Sequence, residues 1–203
     1  PRQGHLSRIK RIYGYLSKMR HASIRIRTEE PDYSDVPDIE HDWSRSVYGN
    51  LSEIIPHDAP KPLSKYVILK HYCDANLMHD IVTGRSVTGI LHIVNKTPID
   101  WFSKKQATVE TATYGSEFMV ARHACEQIMD LRYTLRMMGI PIDGPTWMFG
   151  DNASVITSST VPQSTLNKRH NALSYHRVRE CIASKIIYLL HVDGTLNHSD
   201  ALT

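Results

Sequence analysis

Four acidic residues, Asp74, Glu117, Asp151 and Asp200, stand where a strand or helix would hand a carboxylate to a shared site. Carboxylates gathered without bases are what hard divalent cations take as ligands, and paired ions of that kind serve to break phosphodiesters. Singly, each acid has a plainer use. Asp74 and Asp151 fit turns or helix caps, Glu117 fits a first helical turn favoured by the macrodipole, and Ser199-Asp200 fits simple capping. Only the ordered set of four points to a site.

Other chemistries are less well served. Twelve histidines include His71, His79, His123, His170 and His176, but none forms an H-x-x-x-H pair backed by a carboxylate, so zinc is not indicated. Ser116 after Gly115 lacks the preceding strand of a nucleophile elbow. Cys73, Cys125 and Cys181 are an odd number without a C-x-x-C pair, which suits a reducing compartment.

The elements that must position the acids follow from periodicity. Tyr66 to Cys73, Val87 to Val94 and Pro98 to Phe102 are rich in β-branched and aromatic residues and predict three short strands in an antiparallel meander. A long helix is predicted from about Thr113 to Met138, closed by Gly139, with Ala121, Ala124, Ile128, Leu131, Leu135 and Met138 on its inward stripe. One turn before Ala121 that stripe reaches Glu117, and a carboxylate in register with the core face calls for a compensating cation. Thr146 to Gly150 predicts a strand ending at Asp151, residues 165 to 183 a helix, Lys185 to Val192 a strand, and Ser199 onward the start of a last helix. The order β-β-β-α-β-α-β-α implies an α/β fold of the mixed α+β kind, a five-stranded mixed sheet flanked by helices.

Upstream, Leu6, Ile9, Ile12, Tyr13 and Leu16 recur at helical spacing with Arg8, Lys10, Arg11 and Lys18 largely off that stripe, and Ser23 to Arg27 alternates as a strand does. Residues 1 to 28 hold eight Lys and Arg and no acid, whereas 29 to 60 hold nine acids and only Arg45. The net charge of +3 therefore hides two opposed blocks, a distribution that by itself fits a solvated surface as well as nucleic acid. Residues 29 to 64, punctuated by Pro31, Pro37, Pro56, Pro60 and Pro62, are expected to be a linker or surface excursion. At 203 residues and 41% hydrophobic content the chain suits one moderate domain with an appendage. No apolar run approaches the roughly 20 residues that span a bilayer, so a soluble intracellular protein is expected. Starting at Pro1 and stopping at Thr203 within an incipient helix, it reads as a piece of a longer polypeptide.

Short strings around the acids carry a resemblance. Tyr72-Cys73-Asp74-Ala75-Asn76, Gly84-Arg85-Ser86-Val87-Thr88-Gly89, Ile99-Asp100-Trp101-Phe102-Ser103-Lys104-Lys105-Gln106, Ser116-Glu117-Phe118, Gly150-Asp151-Asn152 and Ser199-Asp200-Ala201-Leu202-Thr203 follow one another in a specific order. They resemble the RNase H domain that ends the polyprotein of copia-type LTR retrotransposons. Pro1-Arg2-Gln3-Gly4-His5-Leu6, Lys10-Arg11-Ile12 and Tyr15-Leu16 resemble the end of the reverse transcriptase that precedes it. Three departures are visible: Asn76 in place of a second acid, Arg169-His170-Asn171-Ala172 where K-H-I-D is usual, and a longer acidic connection.

The resemblance implies an RNase H-like fold over residues 65 to 203, truncated at its C-terminus, after a linker at 29 to 64 and a reverse transcriptase tail at 1 to 28. It implies hydrolysis of the RNA strand of an RNA–DNA hybrid with two Mg²⁺ ions, or Mn²⁺ in their place, held by Asp74, Glu117, Asp151 and Asp200. Asp74 would bridge the ions, Asp200 would complete the nucleophile side, and Glu117 with Asp151 would hold the other. Asn152, Lys104, Lys105 and Gln106 would contact the hybrid, Lys168, Arg169 and Arg177 its phosphates, and His198 would assist product release. The partners implied are the hybrid and the polymerase portion of the same polyprotein, with no membrane, in cytoplasmic retroelement particles with a nuclear phase. The competing reading is a non-catalytic module that binds hybrid or supports the polymerase.

Overall fold

The computed structural model describes residues 3–23, 25–34, 36, 41–166 and 169–203. Strands β1 (Leu69–Asp80), β2 (Arg85–Val94) and β3 (Thr97–Lys105) form the antiparallel meander, followed by helix α2 (Thr113–Met137), after an N-terminal helix α1 (Gln3–Lys18). Strand β4 (Thr146–Gly150), helices α3 (Ala153–Thr160) and α4 (Ala172–Ala183), and strand β5 (Ile187–His191) complete the order. The sheet runs β3-β2-β1-β4-β5, antiparallel through β1 and parallel from β1 to β5. This is the five-stranded mixed sheet expected, with β1 at its centre.

Apolar periodicity builds the layers. Phe118, Ala121, Ala124, Cys125 and Ile128 of α2 pack with Cys73, Ala75 and Ile90 of the sheet, and with Met148, Val178, Ile187 and Leu189. Phe118 and Ile128 are fully buried, and each such side chain contributes about 1.5–3 kcal/mol by leaving water. Gly139 ends α2 with a φ of 74°, and Ile140 N–H donates to the Leu135 carbonyl at 2.9 Å, so the left-handed closing residue is where a glycine is needed. Met138, expected on the inward stripe, is instead 61% exposed at the cap.

Other expectations change. β1 does not end near Asp74 but runs on to Asp80, with its register against β2 broken between Asn76 and Asp80. The segment 165–183 is helical only from Ala172, after a single 3-10 turn at Arg169–Asn171, and the last helix is a 3-10 turn at Asp200–Leu202. In the alternating stretch 23–27, residue 24 lies outside the described residues and the others form no strand. Arg27 instead exchanges hydrogen bonds with Thr97, its N–H donating to Oγ1 at 2.6 Å.

Tyr33, Trp43 and Glu53 of the acidic segment touch the domain. Trp43 is buried, the Arg179 guanidinium sits 4.8 Å from its ring, and Tyr33 stacks on Trp147. Glu53 receives hydrogen bonds from both Arg132 and Arg136, at 2.5–2.8 Å. On α1, by contrast, Leu6, Ile9, Ile12, Tyr13 and Leu16 are each about half exposed or more. Among the described residues no helix is long and apolar enough to cross a membrane.

Candidate functional site

Parallel pairing brings two of the acids level. Tyr72 of β1 is paired with Phe149 of β4, and Asp74 and Asp151 each stand two residues further along. Helix α2 crosses β1 and lowers Glu117, fifth residue of the helix, from above. Asp74, Glu117 and Asp151 each offer a carboxylate oxygen within 4.8 Å of the others. Asp74 and Glu117 are 7% and 8% exposed, and Asp151 is half-buried.

Among the described residues no cation bears on Glu117 or Asp74. Burial, then the charges of Asp74 and Asp151, push the Glu117 carboxyl up to about 9, against the pull of a hydrogen bond from the Ala75 backbone N–H. Burial also raises Asp74, opposed mainly by the Thr203 hydroxyl and reinforced by Asp151 and Asp200. Glu53, 18% exposed and gripped by two guanidinium groups, is held down at about 2. The contrast is one of partners: both acids lose water, but only Glu53 has cations to replace it.

Asp200 lies outside the close trio, on the exposed 3-10 turn, near enough for its charge to bear on Asp74. That turn is tied down tightly. The Thr203 hydroxyl donates to Asp74 Oδ2 at 2.7 Å, the Ser103 hydroxyl to the Leu202 carbonyl at 2.6 Å, and the Asn197 amide to the Cys73 carbonyl at 3.0 Å. Gly89 faces Asp74 across β1 and β2, and a Cβ there would fall 2.7 Å from Thr203 Cγ2 and 2.8 Å from the Ser199 carbonyl. Close approach, not backbone freedom, is why this position takes glycine.

The expected nucleic-acid contacts divide. Lys104 and Arg169 are exposed. Lys105 is exposed too, but pairs with Asp80 at 2.7 Å, and Arg177 pairs with Glu180 at 2.9 Å. Asn152 accepts from Val155 N–H at 3.2 Å and so caps α3. Gln106 is corrected: it is buried, with its amide donating to Thr88 Oγ1 and the Ser116 carbonyl, so it ties β2 to α2 and cannot touch a ligand from there. Lys168 lies outside the described residues. The His198 ring packs edge-on to Tyr72, centroids 4.7 Å apart, while His191, not anticipated, has Nε2 3.0 Å from the Asp151 carbonyl.

Comparison with known proteins places this geometry. No family model matches the chain. It is 28% identical over 136 residues to the retrovirus-related Pol polyprotein from transposon TNT 1-94 of Nicotiana tabacum, covering 67% of this chain and 10% of that protein. It is 26% identical over 135 residues to the retrovirus-related Pol polyprotein from transposon RE2 of Arabidopsis thaliana, covering 66% of this chain and 9% of that protein. The chain thus spans about a tenth of the curated relatives it matches. An N-terminal RNase H domain from Mycobacterium tuberculosis, solved as a fusion with maltose-binding protein, aligns with TM-score 0.50 at 10% identity, covering 68% of this chain and 91% of that one. The fold is RNase H-like, and the sequence is similar to the Pol polyproteins of plant transposons.

Proposed function

We propose that this chain is the RNase H part of a retroelement Pol polyprotein, and that it hydrolyses the RNA strand of an RNA–DNA hybrid with divalent cations at Asp74, Glu117 and Asp151, joined by Asp200. Residues 1–28 are assigned to the end of the reverse transcriptase, 29–64 to a connection, and 65–203 to the nuclease. The observation that carries the reading is the acidic trio on an RNase H-like sheet, two of its members buried, in which Asp74 and Asp151 repel Glu117 and, among the described residues, no guanidinium or ammonium bears on it.

The donor set fits the cations. Carboxylate oxygens are the ligands of Mg²⁺ and Mn²⁺, and a site that pushes Glu117 to about 9 has the charge deficit a cation would fill. When bound, the ions supply Lewis-acid stabilisation of the charge that develops on the phosphodiester. The chain's own residues do the rest. Thr203 holds Asp74 Oδ2 and His191 braces the Asp151 backbone, so two of the acids are set before a ligand arrives. The ribose 2′-OH distinguishes the strand to be cut from its complement. Exposed Lys104 and Arg169 would meet phosphates, and the uncovered apolar stripe of α1 would pack on the polymerase part of the polyprotein.

The test is cleavage of a hybrid labelled on its RNA strand by the wild-type chain, Asp74→Asn and Asp151→Asn, with and without Mg²⁺. Loss of Mg²⁺-dependent cutting in both variants, with circular dichroism unchanged, is the expected result. Equal cutting by all three would overturn it, and hybrid binding without cutting by the wild type would favour the non-catalytic module.

A further inference from the structure

We infer that Thr203 is a positioning residue for the Asp74 carboxylate, and that the segment Asn197–Thr203 is a clasp that delivers Asp200 to the same carboxylate. The inference rests on the functional reading above and extends it to residues that bear no charge. Three strands are gripped at once. Asn197, buried at 5%, donates to the Cys73 carbonyl of β1 and accepts from Ser199 N–H and Oγ at 3.2 and 2.7 Å. Leu202 and Thr203 lie on the bare backbone of Gly89 in β2, and Ser103 of β3 donates to the Leu202 carbonyl. Thr203 then closes the loop onto Asp74 Oδ2.

The single hydroxyl proton of Thr203 has two acceptors in range, Asp74 Oδ2 at 2.7 Å and the Asp200 carbonyl at 3.2 Å. A carboxylate is the stronger acceptor and the shorter contact, so the proton goes to Asp74. One oxygen of Asp74 is thereby fixed in rotation while the carboxylate keeps further lone pairs for a cation. Partners of this kind, which touch a ligand residue and not the metal, typically alter metal affinity by about 10–100-fold when removed. The methyl of Thr203 has a separate task, packing against Gly89, so hydroxyl and methyl can be tested apart.

The experiment is isothermal titration of the chelator-treated chain with MnCl₂, comparing wild type, Thr203→Ser and Thr203→Val, with thermal melts without metal as a control for folding. Thr203→Val should weaken Mn²⁺ binding about 10–100-fold and Thr203→Ser less than about threefold. Wild-type affinity in Thr203→Val overturns the inference while leaving the functional reading intact. Equal loss in both variants also overturns it, because Thr203→Ser keeps the hydroxyl, and the seating of the turn rather than the hydrogen bond to Asp74 would then govern metal binding. A wild-type chain that takes up no Mn²⁺ overturns the functional reading, and this inference with it.

Discussion

Glu117 on α2 and Asp74 on β1 present carboxylate oxygens within 4.8 Å of one another, and each carboxyl is pushed up by burial, Glu117 also by the charge of Asp74. Without a cation the folded chain relieves this by keeping a proton on Glu117, whose carboxyl is pushed up to about 9 from an ordinary 4.5. The folded state then binds more protons than the unfolded one, so stability falls as pH rises between those values. Melts in chelator should show that decline, worth at most roughly 3 kcal/mol by pH 7. Glu117→Gln should remove it and melt higher than wild type at pH 7. An identical pH slope in the two proteins would contradict the assignment.

Glu53 predicts the opposite sign. Held at about 2 by Arg132 and Arg136, it contributes stability that is present above its ordinary 4.5 and lost as pH falls through about 2. Arg132 is 3% exposed at its side chain, so Glu53→Ala strands a buried guanidinium that keeps only the Gly144 carbonyl and Thr146 hydroxyl. Breaking a buried pair costs about 3–5 kcal/mol, and the partial exposure of Glu53 places this case toward the lower end. Urea denaturation at pH 7 measures it, and a loss below about 0.5 kcal/mol would show the pair to be a surface one.

His71 and His92 face each other across β1 and β2 through their Nδ1 atoms, and His92 Nε2 lies 2.8 Å from Gln127 Oε1. Gln127 accepts from His92 Nε2–H, so His92 Nδ1 must accept from His71 Nδ1–H, and both rings are neutral. A further proton would set donor against donor inside the sheet. Burial, and for His71 also the charges of His92 and Arg132, lower both groups from an ordinary 6.5. The unfolded state binds more protons below 6.5, so stability is lost as pH falls beneath it. With Mg²⁺ present to silence Glu117, urea midpoints at pH 7 and 5 should separate for wild type and converge for His71→Met/His92→Leu.

Much of this fold was legible in the residues that repeat. The β-branched and apolar residues of β2, the aromatic pair Trp147 and Phe149 in β4 and the helical stripe of α2 reach the structure because they supply buried apolar surface. Helix α3 is hard to see in the sequence because Ala153–Thr160 is rich in Ser, Thr, Val and Ile, residues that favour strands and turns, and its one local signal is the Asn152 cap. The acidic segment was opaque for a different reason: Glu53 meets Arg132 across 79 residues of sequence, and no local period encodes such a contact. Gln106 follows two lysines in the sequence, yet it turns inward just past the end of β3. Three of the four acids in the ordered set, Asp74, Glu117 and Asp151, come within 4.8 Å of one another, while the uncharged hydroxyl of Thr203 beside Asp74 has nothing local to mark it.

Gly89 allows the last prediction, because it separates the delivery of Asp200 from the charge of Asp200. In Gly89→Ala the new methyl would meet Thr203 Cγ2, the Ser199 carbonyl and Leu202 Cβ at 2.7, 2.8 and 3.1 Å, and two of these three belong to the 3-10 turn and its cap rather than to a flexible side-chain tip. The sheet cannot yield, since Gly89 is paired on one side with Asp74 and on the other with Ser103. The turn must therefore lift, breaking the Ser103 and Thr203 hydrogen bonds together. Overpacking of this kind costs about 1–3 kcal/mol. Hydrogen exchange should show faster exchange at the backbone N–H groups of Leu202 and Thr203 with β1 and β2 still protected, and hybrid cleavage should fall at least as far as in Asp200→Asn. Wild-type cleavage in Gly89→Ala alongside an inactive Asp200→Asn would mean that Asp200 reaches the site without the turn being seated on β2.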